Sequence, residues 1–128
     1  MLDTNTVSHL VKAHPAVTRR VVDQPMASLC ISAITEGELL FGLAKRPEAT
    51  RLHLVVRELL RRVDVLPWNS EIAERYGPLR ADLARLGKGV APLDLLIAAH
   101  ALGIDAVLVT SDQALTRIPN LTAEDWTV

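Results

Sequence analysis

Residues 92–112, PLDLLIAAHALGIDAVLVTSD, decide the fold. Pro92 suits the first turn of a helix, where its missing N–H is one of the groups left unpaired anyway. The almost wholly apolar run Leu93–Leu102 then reads as a buried helix, and Val107–Thr110 is the clearest strand in the chain. Asp112 follows that strand and opens a turn or short helix. A buried helix feeding an apolar strand is the repeat unit of a parallel sheet, whose chemistry gathers beyond the strands' carboxyl ends.

Upstream, Met1–Asp3 is the stub of a strand, and Asn5–Lys12 has Val7, Leu10 and Val11 at helical spacing. Pro15 separates it from a second short helix, Ala16–Asp23. Ala27–Ala33 is an apolar run of the kind parallel sheets bury on both faces. Thr35–Leu43 turns helical, and Glu48–Arg62 is amphipathic, with Leu52, Val55, Val56, Leu59 and Leu60 opposite a basic face. Val63–Leu66 reads as a short strand. Ser70–Leu86 is a helix that Pro78 should kink, ended by Gly87–Gly89. Leu121–Val128 is expected to add an edge strand. The reading is one α/β domain spanning 1–128, with helices around a central parallel sheet of four to five strands.

Four acids fall where strands end or helices begin: Asp3, Glu38, Asp94 and Asp112. Each has an ordinary explanation. Asp3 suits an Asx-turn, Glu38 completes a Thr35–Glu38 capping box, Asp94 favours a helix N-terminus, and Asp112 caps a turn. Asp94 is the least ordinary, because Leu93, Leu95, Leu96 and Ile97 predict deep burial around it, and a buried carboxylate needs a cation or several donors. Gathered at one sheet edge, all four would repel one another unless a cation were bound. Oxygen-only ligands select a hard ion, Mg2+ or Mn2+, and such an ion activates water against a phosphodiester.

Composition narrows the class. The chain has 128 residues, 49% hydrophobic and 23% charged, which is ordinary for a packed globular domain. A net charge of −1 excludes a globally basic nucleic-acid binder but leaves room for a local basic face. The single Cys30 cannot form an internal disulfide and reads as a buried hydrophobe in a reducing compartment. With no apolar stretch near the roughly 20 residues that span a bilayer, a cytoplasmic protein is expected.

Together, MLDTN at the start, ISAITEGELLFG, PLDLLIAAHAL, LVTSD and a terminal EDW resemble the VapC-type toxins of the PIN-domain ribonuclease family. The likeness covers essentially the whole chain, in the family's order and spacing. It implies a three-layer α/β/α PIN-like domain and Mg2+- or Mn2+-dependent endoribonuclease activity in a type II toxin-antitoxin module. A cognate VapB-type antitoxin and a homodimer are also implied, and transfer RNA is favoured among RNA classes. The family's acids fall on Asp3, Glu38, Asp94 and Asp112, with Asp3 and Asp94 the surest metal ligands. The family often carries a few more residues before its first acid. Here only Met1 and Leu2 precede it, so the first strand is expected to be very short.

By position, Asn5, Thr110 and Ser111 are expected to hydrogen-bond the metal-holding carboxylates or their waters. Lys45, Arg46 and Lys88 are candidates for phosphate contacts. Aromatic residues, at 3%, are too scarce for stacking platforms. No catalytic role falls to His9, His14, His53 or His100, the last lying six residues from Asp94 and so on another helix face. Apolar faces around Val7–Val22 and Leu52–Leu60 offer a groove for an antitoxin segment or a dimer mate, and Trp68 and Trp126 read as packing residues. Two alternatives remain: a catalytically silent PIN module that binds RNA or protein, and a phosphatase using Asp3 as nucleophile, which lacks the second aspartate of a D-x-D motif because Asn5 stands there.

Overall fold

The first three residues hold the fold together. In the computed structural model, which describes residues 1–128, Leu2 N–H donates to the Cys30 carbonyl at 2.9 Å and Asp3 N–H to the Val109 carbonyl at 3.1 Å. Val109 N–H returns a bond to the Met1 carbonyl at 2.8 Å. On one side of this segment lie β1 (Cys30–Ser32) and β2 (Asp64–Leu66), paired in parallel; on the other lie β3 (Leu108–Val109) and β4 (Ala123–Glu124), also parallel. Leu2 bridges to Val109, again in parallel. The expected sheet of four to five strands thus takes the form of two two-stranded ladders with residues 1–3 between them.

Helices surround these ladders: α1 (Thr4–Val11), α2 (Pro15–Val22), α3 (Ala33–Ala44), α4 (Thr50–Arg62), α5 (Ser70–Arg85), α6 (Pro92–Gly103) and the single turn α7 (Gln113–Thr116). Alternation along the strands sorts them into two cores. Leu2, Ile31, Val65 and Val109 pack with Val7, Val17, Leu39 and Val56 from α1 to α4. Met1, Cys30, Leu66 and Leu108 pack with Leu83, Leu95, Ile97 and Leu115 from α5 to α7. The inner strands β1 and β3 are therefore packed on both faces and read as apolar, whereas β2 and β4 expose Asp64 and Glu124.

Strand lengths fall short of the sequence expectation for local reasons. Of Ala27–Ala33, Met26–Ser28 forms a 3-10 turn and Ala33 already begins α3, leaving Cys30–Ser32. Only Ala123 and Glu124 of the expected terminal strand pair; beyond them the Asp125 carboxylate accepts from Thr127 N–H at 2.8 Å and turns the chain, burying Trp126. Helix α5 runs unbroken through Pro78.

Three helices close with the same device. After α1, Ala13 N–H donates to Leu10 and His14 N–H to His9; after α5, Gly87 bonds Ala84 and Lys88 bonds Leu83; after α6, Asp105 bonds Leu102 and Ala106 bonds Ala101. This Schellman pattern needs a left-handed residue, supplied by Ala13 at φ 60°, Gly87 at φ 66° and Asp105 at φ 55°. Only Gly87 occupies that region without steric cost. In denaturant titration, Gly87→Ala should lower stability by about 1 kcal/mol, while Ala13→Gly should raise it by about 0.5 kcal/mol after the entropic cost of glycine. A Gly87→Ala protein at least as stable as the parent would contradict this reading of the helix ends.

Candidate active site

Each of the four acids is held by a different local device. Asp3 leaves the first strand segment as the N-cap of α1: its Oδ1 accepts from Thr6 N–H at 2.8 Å, and the residue is 2% exposed. Asp112 leaves β3 as the N-cap of α7, its Oδ1 accepting from Ala114 N–H at 2.9 Å. Asp94 sits in the first turn of α6. Three helix N-termini therefore lie at these carboxylates, and their unpaired N–H groups and dipoles favour negative charge there. Glu38 comes from the second turn of α3, and its Oε1 accepts from Thr4 Oγ1 at 2.6 Å.

Asp94 lies within electrostatic reach of the other three. Asp94 is pushed up to about 6, first by burial and then by the charges of Asp112, Asp3 and Glu38. No lysine or arginine relieves them, because every ion pair in the protein uses Glu124, Glu58 or Asp82. Asp3 and Glu38 each keep one oxygen free of any protein donor, and the Asp94 carboxyl is hydrogen-bonded to that of Asp112. Free carboxylate oxygens without a protein counter-cation suit a hard divalent ion. No three of these side chains already close into a metal cage.

Several local expectations need correcting. Asn5 is exposed on α1 and makes no side-chain bond to a carboxylate; its neighbour Thr4 fills that role, its hydroxyl lying 2.6 Å from Glu38 and 3.2 Å from buried Thr35. Nothing in the spacing separates Thr4 from Asn5, because the partner is 34 residues away. The Thr35–Glu38 capping box does not form: Ser32 caps α3 by accepting from Ile34 N–H at 3.1 Å, and Thr35 lies inside the helix. Thr110 is buried, and its hydroxyl accepts from Asp112 N–H at 3.1 Å, so it shapes the loop rather than touching a carboxylate. Ser111 is half-buried and makes no side-chain hydrogen bond. Leu93 is exposed, so Asp94 is half-buried rather than deeply enclosed. Lys88 lies in a separate hollow with Arg117.

His100 is a packing residue. Its Nδ1 lies 2.7 Å from Ser32 Oγ, both residues are buried, and burial lowers the imidazole's pKa. This bond ties α6, which carries Asp94, to the end of β1, from which α3 carries Glu38. Trp68 likewise donates to the Leu96 carbonyl at 2.9 Å.

Comparison with known proteins identifies the family. The PIN domain profile matches residues 1–121. The tRNA(fMet)-specific endonuclease VapC of Salmonella typhimurium is 38% identical over 98% of this chain and 96% of its own length. The protein of the same name from Shigella flexneri is 35% identical over the same shares. Among solved structures, the DNA-bound VapBC of Salmonella typhimurium superposes with a TM-score of 0.89 at 38% identity, covering 98% of this chain and 96% of that one. VapBC-1 of nontypeable Haemophilus influenzae gives 0.88 at 35% identity, covering 100% and 98%. The chain therefore belongs to the PIN-domain family, among the VapC ribonucleases that form the toxin half of VapBC toxin-antitoxin systems.

Proposed function

We propose that this VapC-family ribonuclease hydrolyses RNA internally with a divalent metal ion held by Asp3, Glu38, Asp94 and Asp112. The observation that carries the reading is the charge imbalance: burial and then three neighbouring carboxylates raise the pKa of a fourth, and no basic side chain pairs with any of them. Bound there, Mg2+ or Mn2+ supplies a water of lowered pKa and stabilises charge on phosphoryl oxygens.

The chain's own groups divide the remaining work. Asp3 and Asp112 are aimed by the helix N–H groups they cap, and Thr4 fixes one oxygen of Glu38, leaving the other free toward the cleft. Burial and the neighbouring carboxylates push the Asp94 carboxyl up to about 6. Asn5 and Ser111 are left without a role, and Thr110 acts through the Asp112 loop.

Transfer RNA is the favoured substrate, because the Salmonella and Shigella relatives bear that specificity in their names. A VapB-type antitoxin is the natural partner, since the superposing structures are VapBC complexes. A homodimer completes the assembly we envisage. We read all 128 residues as one PIN domain of three layers, with residues 1–3 joining the two ladders into a single parallel sheet between two helical cores. Its setting is cytoplasmic, in keeping with a free Cys30 and with the absence of any helix long and apolar enough to cross a membrane. A silent binding module is the poorer reading, because uncompensated carboxylates cost stability that a mere scaffold has no reason to bear.

Cleavage of purified tRNA in Mg2+ should fall roughly 100-fold or more in Asp94→Asn, and equal activity would remove Asp94 from the mechanism. Thr4→Val should weaken Mg2+ affinity roughly 10-fold while Thr4→Ser restores it, a pattern that calorimetry can read; failure of serine to rescue would assign Thr4 to packing alone.

A pH titration probes the cluster independently of RNA. The folded value for Asp94, about 6, lies above the ordinary 3.8, so the native state keeps the extra proton between them. Its contribution is fully present below pH 3.8 and is lost as pH rises through about 6. Partial exposure to water reduces its size. Melting in EDTA should therefore show the stability of the parent protein falling relative to Asp94→Asn as pH rises from 3.8 through about 6, with Mg2+ restoring the parent alone. A parallel pH dependence in the two proteins would contradict the crowding of charge.

A further inference from the structure

Beside Glu38 a trough opens between α1, α3 and α4. Its first part encloses about 260 Å3, with Thr4 and Glu38 at one end and Lys12, Lys45 and Arg46 along it. A second hollow of about 440 Å3 shares Lys12 and Arg46 with the first and continues to Arg51. Glu38 is the only acid in either part. None of the four cations is engaged in an ion pair, and Lys45 Nζ rests 4.9 Å from the centre of the Phe41 ring, which steadies it. Carboxylates at one end and unpaired cations beyond them form a polarised channel.

We propose that this trough carries the RNA strand adjoining the scissile phosphate, with Lys12, Lys45, Arg46 and Arg51 gripping its phosphates. The inference rests on the ribonuclease reading above and adds to it the path of the substrate. Charge selects the occupant, since a phosphodiester chain presents a negative group at every step, whereas the acidic cleft admits its backbone only where a cation neutralises it. Size agrees. Helix α1 is 8 residues long and borders the trough for about 12 Å, and at about 3.4 Å per stacked nucleotide this is room for roughly three nucleotides. The floor of Val11, Leu39 and Leu52 leaves the bases unread, so grip along this path is independent of sequence.

The test compares the parent with Lys12→Gln/Arg46→Gln/Arg51→Gln and with Arg57→Gln, a control on the same helix as Arg51 but outside the trough. All are surface changes, and melting verifies that they fold. On purified tRNA with Mg2+, the triple variant should raise KM at least tenfold with kcat within twofold, while Arg57→Gln matches the parent. Direct tRNA binding in EDTA should show the slope of log affinity against log salt becoming shallower by about 2, at roughly 0.7 for each single-strand phosphate that is no longer neutralised. An unchanged KM and salt slope would overturn the proposal. So would loss of binding to a VapB-type antitoxin with RNA affinity intact, which would make the trough a peptide site. If the parent itself fails to cleave, the ribonuclease reading falls, while the salt slope in EDTA still decides whether RNA lies here.

Discussion

Like charges in one cleft are the constraint around which this molecule is organised. Asp3, Glu38, Asp94 and Asp112 come from stretches as far apart as the first and last quarters of the chain, and their mutual repulsion is large enough to help push Asp94 up to about 6. Holding them together without a cation has a cost, and the protein offsets part of it with N–H groups. Asp3 and Asp112 each cap a helix, and Asp94 lies in the first turn of another, so backbone dipoles substitute for the lysine or arginine that a structural acid would ordinarily recruit. The arrangement leaves oxygens free, as a site that must exchange a metal and a substrate requires.

Very short strands suffice to hold this geometry because the inner ones, residues 1–3, β1 and β3, are packed on both faces. Leu2 is 1% exposed, and Ile31 and Leu108 are fully buried, each facing the core opposite to that of its strand neighbours. A two-residue ladder has little rigidity of its own; here it is clamped between two helical layers, and residues 1–3 donate or accept backbone bonds on both edges. Below the sheet edge, the buried Ser32 and His100 pair links the helices that carry Glu38 and Asp94. The position of the acids thus rests on packing behind them more than on hydrogen bonds around them.

The order of elements and the junctions at which the acids stand were legible in the sequence, because periodicity marks them: Asp3 before the Val7, Leu10, Val11 face, Asp94 after Pro92, and Asp112 after LVT. Lengths were less legible. Ala27–Ala33 is apolar throughout, yet only its middle pairs, since apolarity reports burial and does not separate a strand from the 3-10 turn that leads into it. Side-chain roles were least legible. Thr35–Glu38 fits a capping box, but Ser32 reaches the helix start first and frees Glu38 for Thr4. Asn5 and Thr4 differ by one position, about 100° around α1, and only the tertiary approach of α3 decides which one meets the glutamate.

Crystals grown or soaked with Mn2+ give the most direct test, through anomalous scattering at the manganese edge. The account predicts a peak within coordination distance of Asp3 and Asp94, with Glu38 or Asp112 oxygens completing the set directly or through water, and its loss in Asp94→Asn. A fully loaded crystal with no peak among these carboxylates, or with manganese bound only elsewhere, would contradict it.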